Sequence, residues 1–189
     1  IRFAALGAQG ATRPLDIAEL ARLFSDSNGL APTAGILDLR GNPGGVGGMA
    51  PGLAGMLFKE KASLGSMKTR GGSMEFVAFP QPAPFAGPVI VLTNHGTGST
   101  SEVFAAGMQE TGRARVVGET TAGAVLPSVF EKLPTGHLFQ YAISDYRSPK
   151  NILIEGRGVI PDIEVRQTLE SLLAGGDAQL SAAIKLLQT

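Results

Sequence analysis

The segment Thr93-Asn94-His95-Gly96-Thr97-Gly98-Ser99-Thr100-Ser101-Glu102 separates two different apolar patterns. Before it, Pro88-Val89-Ile90-Val91-Leu92 is a short continuous apolar run, the pattern of a buried strand. After it, Val103-Phe104-Ala105-Ala106-Gly107-Met108 has the spacing of a helix packed against a sheet. Small residues fill the sharp turn between them. A serine between a buried strand and a helix N-terminus stands where α/β proteins place a nucleophile or hold an anion. Ser99 is therefore the candidate nucleophile.

Outward from this unit the same grammar repeats. Residues 34–39 read as a strand, followed by Arg40-Gly41-Asn42-Pro43-Gly44-Gly45 and, after Gly47-Gly48, a helix carrying Met49, Leu53, Met56, Leu57 and Phe58. Strand, glycine turn and helix make half of a βαβ unit. The turn lacks the G-x-G-x-x-G spacing, and no G-K-S/T follows, which argues against a nucleotide-phosphate role. Gly44 and Gly45 either form a plain tight turn or offer their amides to a developing oxyanion. Residues 114–117 read as another buried strand, leading to Gly118-Glu119-Thr120-Thr121-Ala122-Gly123.

The remaining segments are less distinctive. Residues 1–6 read as a strand, and Pro14 opens a packing helix that Asn28-Gly29 ends. Lys59, Lys61, Lys68 and Arg70 read as basic surface, residues 74–79 as an exposed strand, and the prolines at 80, 82, 84 and 88 as an extended loop. Residues 129–133 and 137–143 flank Pro134-Thr135-Gly136 as a hairpin. Residues 151–154 suggest a further strand, and 155–162 an ordered turn. Two helical segments, 168–172 and 177–187, close the chain, with Asp177 as the cap of the second.

A chain of 189 residues fits one domain with a sizeable core, and 43% apolar content argues against disorder. The 16 basic and 16 acidic residues cancel, so there is no nucleic-acid footprint. No apolar run approaches the ~20 residues needed to span a bilayer. The absence of cysteine excludes a disulfide and a thiol nucleophile. The only two histidines lack ligand spacing, so neither a metal nor a cofactor is expected.

A neutral serine hydroxyl needs a base within hydrogen-bond reach, and donors aimed at the oxygen that gains charge. A helix beginning near Thr100 would offer the Thr100 amide as one donor, with the Gly44-Gly45 turn as the other. Both turns would then lie at one edge of the sheet. A simpler reading makes Ser99 or Ser101 a helix cap, with Glu102 serving the first turn. The base is the weak point. His95, four residues upstream in the entering turn, His137, in an expected strand, and Lys132 are each weak candidates for it. Glu155, at a glycine-flanked turn, suits the orienting of a distant histidine.

Four blocks together resemble the C-terminal processing peptidases, or tail-specific proteases, a family of serine peptidases. Ile36-Leu37-Asp38-Leu39-Arg40-Gly41-Asn42-Pro43-Gly44-Gly45 is similar to their oxyanion-loop motif, and Asn94-His95-Gly96-Thr97-Gly98-Ser99-Thr100-Ser101-Glu102 to their nucleophile segment. Val116-Val117-Gly118-Glu119-Thr120-Thr121-Ala122-Gly123 resembles the segment leading to their catalytic lysine. Residues 155–165, Glu155-Gly156-Arg157-Gly158-Val159-Ile160-Pro161-Asp162-Ile163-Glu164-Val165, resemble their closing motif. The resemblance implies an α/β fold with a ClpP/crotonase-like spiral core. It also implies that residues 1–189 are a single subdomain, the C-terminal part of a peptidase catalytic domain. It carries the nucleophile onto Ser99, the oxyanion amides onto Gly44, Gly45 and Thr100, and hydrolysis of peptide or protein substrates through an acyl-enzyme.

One departure is informative. The family lysine aligns with Ala124, which cannot take a proton. A branch resembling the tricorn core peptidase uses serine, histidine, a second serine and glutamate instead, and Glu155 has the position of that glutamate. The histidine would come from an upstream segment beyond a peptide-binding PDZ domain, both expected in the parent chain and absent here. The resemblance also implies a periplasmic, secreted or membrane-associated parent, and homo-oligomers occur among the expected arrangements. The competing expectation is a non-catalytic module that binds peptides or apolar ligands. A crotonase-type acyl-CoA enzyme is a third, which the Ser99 block disfavours.

Overall fold

The computed structural model describes residues 33–188. The strand expected at residues 1–6 and the helix opened by Pro14 lie outside them. In chain order the elements are β1 (Gly35–Asp38), α1 (Met49–Ala54), β2 (Ala62–Thr69), β3 (Gly72–Ala78), β4 (Val89–Thr93), α2 (Thr100–Glu110) and β5 (Ala114–Gly118). They are followed by β6 (Ser128–Lys132), β7 (Leu138–Ala142), β8 (Asp145–Arg147), β9 (Ile163–Glu164), α3 (Leu169–Leu173) and α4 (Ala178–Leu187).

Strands β1, β4, β5 and β9 form a four-stranded sheet in the order β1-β4-β5-β9, and every neighbouring pair is parallel. Strand β4 is central and buried along its whole length. That explains its unbroken apolar sequence, because both faces of a parallel sheet are covered. Val89 and Val91 point to the layer built by α1, α2 and β2. Ile90 and Leu92 point to the opposite face, where Ala183 and the α4 residues Ala182, Leu186 and Leu187 pack. The sheet is thus sandwiched, with α2 crossing from β4 to β5. Gly107 lets α2 close on β2: a Cβ there would meet the Leu64 side chain at 2.5 Å.

A second sheet, β3-β2-β8, is antiparallel, and β6-β7 is a separate antiparallel hairpin. This corrects the expected ClpP/crotonase-like spiral core. The described strands fall into one parallel sheet and two antiparallel ones, because β2 leaves the parallel layer and pairs with β3 and β8 instead. Residues 151–154 form no strand, only a single bridge between Arg147 and Leu153. Among the described residues no helix is long and apolar enough to cross a membrane.

Candidate active site

Three loops leave the C-terminal ends of adjacent strands β1, β4 and β5. Short hydrogen bonds stitch them together. Gly41 N–H and Gly96 N–H donate to Asn94 Oδ1, Thr97 Oγ1 donates to the Leu39 carbonyl, and Gly98 N–H donates to the Asn42 carbonyl. On the other side Ala122 N–H donates to the Thr97 carbonyl, and Thr93 Oγ1 to the Glu119 carbonyl. The 155–159 turn then closes on the third loop, with Gly156 N–H donating to the Gly123 carbonyl and Val159 N–H to Thr121 Oγ1. All four sequence blocks therefore converge on one end of the parallel sheet, the position where open α/β sheets bind ligands.

Ser99 sits at the N-cap of α2 with φ 52° and ψ −123°. A positive φ is costly for a residue with a Cβ, and such strain is characteristic of functional turns. Two acceptors hold its amide: the Ala124 carbonyl at 2.9 Å and Glu102 Oε2 at 3.0 Å. Glu102 thus serves the first turn, as the capping reading expects, but it also bonds Thr121, Gly123 and Ala124. Ser101 is no cap: its hydroxyl is buried without a hydrogen-bond partner.

The glycine turn lies against the serine. Gly44 has φ +94°, and a Cβ built on it would stand 2.6 Å from Ser99 Cβ and 2.8 Å from Thr100 N. Thr100 Oγ1 donates to the Gly45 carbonyl at 2.8 Å, which fixes the two loops at this point. The Gly44 amide donates to Asn42 Oδ1 at 3.1 Å. Among the described residues no acceptor engages the amides of Gly45 and Thr100.

An open cavity of about 700 Å³ lies over Ser99, bordered by Gly44, Gly45, Ala124, Glu155 and one face of the β6-β7 hairpin. Ser128, Phe130, Gln140 and Ala142 line it, and they are cross-strand partners, Ser128 with Ala142 and Phe130 with Gln140. Glu155 is positioned by its own hydrogen bonds: Oε2 accepts from Val125 N–H at 2.7 Å and Leu126 N–H at 3.2 Å. A smaller cavity of about 180 Å³ adjoins Ser99, Thr100 and Gly45 and is walled by Phe76, Val103, Val125 and Pro127.

The structure thus gathers Ser99, Gly44, Gly45, Thr100 and Glu155 in one place, with Ala124 beside them. The three side chains considered as bases are elsewhere. His95 is exposed, with Nδ1 3.4 Å from Glu119 Oε2. His137 stands in the hairpin turn against Thr135 Oγ1, and Lys132 is exposed at the end of β6; none of the three borders the Ser99 cavities. No group of three or more His, Cys, Asp or Glu able to hold a metal occurs among the described residues. Sequence reasoning underrated Glu102, whose partners 121–124 lie far along the chain.

Comparison with known proteins gives the family and the fold. The model for Peptidase family S41 matches residues 16–165. The carboxyl-terminal-processing protease of Synechocystis sp. is 35% identical over 156 residues, covering 80% of this chain and 36% of that protein. The chain spans about a third of the length of the curated relatives it matches. Among solved structures, the photosystem II D1 C-terminal processing protease superposes with a TM-score of 0.63 at 29% identity, covering 71% of this chain and 35% of that one. Mature CPAF complexed with lactacystin shares the fold, with a TM-score of 0.77 at 17% identity, over 98% of this chain and 49% of that one. The fold is accordingly that of the S41 peptidases, with mixed parallel and antiparallel sheets, in place of the spiral expected from the sequence. A family match over residues 16–165, far more than half of the chain, means that the protein belongs to peptidase family S41, a family of serine-type peptidases.

Proposed function

We propose that this chain is the catalytic core subdomain of a serine endopeptidase, with Ser99 as the nucleophile. One observation carries the reading. Ser99 occupies a strained strand-to-helix turn directly against Gly44, with an open cavity above both. In this proposal Ser99 Oγ attacks the carbonyl carbon of a peptide bond and gives its proton to a base. Main-chain amides of Gly45 and Thr100, the open donors, form the oxyanion hole, and the Gly44 amide that the resemblance adds to them is engaged by Asn42 Oδ1. The base returns the proton to the nitrogen, the tetrahedral intermediate expels the amine, and water hydrolyses the acyl-enzyme that remains.

The base is assigned to a histidine from an N-terminal segment of the parent protein, with Glu155 orienting it, as in the tricorn-core-like branch. Ala124 supports this, because the position of the family lysine borders the Ser99 cavity and carries only a methyl group. A PDZ domain upstream, peptide or protein substrates and an exported or membrane-associated parent belong to the same proposal. The second reading, a peptide or apolar-ligand binding module without catalysis, is favoured by the same methyl group and by the distance of both histidines from the cavity.

Labelling with a fluorophosphonate separates the two. The parent protein is expected to label, its Ser99→Ala variant to stay unlabelled, and the 189-residue chain to label weakly or not at all. Failure of the intact, folded parent to label at Ser99 would leave the binding module as the surviving reading.

A further inference from the structure

Glu102 is fully buried, and its carboxylate meets four donors. Oε1 accepts from Thr121 Oγ1 and from Gly123 N–H at 2.7 Å. Oε2 accepts from Ala124 N–H at 2.9 Å and Ser99 N–H at 3.0 Å. Only an acceptor-only group can satisfy four donors at once. Val159 N–H donates to Thr121 Oγ1 at 2.7 Å, so the closing turn that carries Glu155 joins the same chain of bonds. No other side chain among the described residues bonds both the Ser99 turn and the 121–124 segment.

A helix cap needs one of these four bonds. The other three lead away from the helix, to the segment that carries residue 124 and leads on to Val125 and Leu126, the amides that hold Glu155. We infer that Glu102 is a positioning residue for the reaction: it sets the register between Ser99 and the loop opposite, and so fixes where the nucleophile stands relative to Glu155 and whatever base enters the cavity. This rests on the reading of Ser99 as nucleophile. A glutamine at 102 would turn an amide N–H₂ toward one pair of buried N–H or O–H donors. The loops would then have to separate or leave those groups unpaired.

The test uses the full parent protein and the variants Glu102→Gln, Thr121→Val and Ser99→Ala. Glu102→Gln is expected to keep its fold by circular dichroism and its KM for a peptide substrate within about twofold, while kcat falls about 10²-fold, the size of effect produced by misplacing a reacting group by about an ångström. In the 189-residue chain, the amide resonances of Ser99, Gly123 and Ala124 are expected to shift while those of β1 stay unchanged. Thr121→Val removes one donor and keeps the carboxylate, and it decides the matter if Glu102→Gln does not fold. A fall in kcat of about tenfold at constant KM supports positioning, whereas an unchanged kcat in a folded variant overturns it. If Ser99→Ala abolishes activity and Glu102→Gln does not, this inference alone fails. If Ser99→Ala leaves activity intact, the nucleophile reading fails and takes the inference with it.

Discussion

The Gly44 backbone touches the Ser99 side chain so closely that no Cβ fits between them: one built at position 44 would lie 2.6 Å from Ser99 Cβ and 2.7 Å from the Gly98 carbonyl oxygen. Only a glycine, also needed for φ +94°, lets the first loop reach the Ser99 turn. Gly44→Ala is therefore expected to push the two loops apart. The backbone strain costs about 1–3 kcal/mol of stability, and fluorophosphonate labelling of the parent protein at Ser99 falls about 10²-fold. Thermal unfolding and labelling rates measured on one preparation check both parts. Normal labelling with a normal melting temperature would mean that the contact has no role.

Ala124 gives a gain-of-function prediction. Its carbonyl accepts the Ser99 amide at 2.9 Å, its own amide is held by Glu102, and its methyl group borders the Ser99 cavity. A lysine there would start from a backbone already registered on Ser99. Ala124→Lys in the 189-residue chain is expected to raise the labelling rate at Ser99 by about 10²-fold, the lower end of general-base contributions. The rate should increase with pH as the amine loses its proton. A folded variant that labels no faster would show that the cavity does not bring residue 124 within reach of the hydroxyl.

The elements that form this centre were legible because each depends on local pattern. The apolar runs of β1, β4 and β5, the glycine turns that follow, and the cap of α4 all lie within short windows. What escaped depends on distant partners. Strand β2 looked like basic surface because its residues Ala62, Ser63, Gly65 and Ser66 are poor strand formers, with a register break between Ser63 and Ser66. Its place is set by Tyr146, fully buried, whose hydroxyl donates to the Leu64 carbonyl. Strand β9 has two residues and no pattern of its own; pairing with Val117 and Gly118 creates it. Glu102 looked like a cap because only one of its four bonds is local. The spiral core was carried over from the resemblance and not read from any residue.

The C-terminal helix α4 is tied to the strand end beneath the first loop, and this tie responds to acid. Arg40 bonds Asp38 and Asp177, with Nη2 to Asp177 Oδ2 at 2.8 Å, while Asp177 also caps α4 by accepting from Leu180 N–H. The Asp177 carboxyl is held below its usual range, first by the Arg40 hydrogen bond. Arg40 itself is pushed further up by Asp38 and Asp177, so it keeps its charge throughout. A depressed carboxyl stabilises the fold above its ordinary value near 3.8 and loses that contribution as pH falls through the lower folded value. Asp177→Asn is expected to cost up to about 1 kcal/mol at neutral pH through loss of a partly exposed ion pair, since asparagine still caps α4. The gap from the original protein should narrow below the ordinary carboxyl range. Melting curves of both proteins from pH 7 down to pH 3 test this; a gap that stays constant to the acid end would assign the cost to something other than the carboxylate.

The small cavity behind Ser99 predicts which side chain enters it. Its volume of about 180 Å³ and its apolar walls Phe76, Val103, Val125 and Pro127 admit a medium-sized apolar group, and no charged side chain lines it. Ser99 and Thr100 line it, and under the proposed function it would receive the side chain of the residue that supplies the attacked carbonyl. Phe76 forms the removable wall: it is partly exposed on β3 and packs edge-to-face on Tyr146 at 5.9 Å. In the parent protein, peptides carrying valine, leucine or methionine at that position are expected to be preferred over lysine or aspartate, because a buried unpaired charge is costly. Phe76→Ala enlarges the cavity and is expected to shift preference toward phenylalanine and tyrosine by about 10-fold in kcat/KM, the usual scale for apolar pocket changes. Competition between peptides that differ only at this residue measures the shift. Equal use of lysine and leucine by the unmodified protein would show that the side chain goes elsewhere, out along the open face of the hairpin.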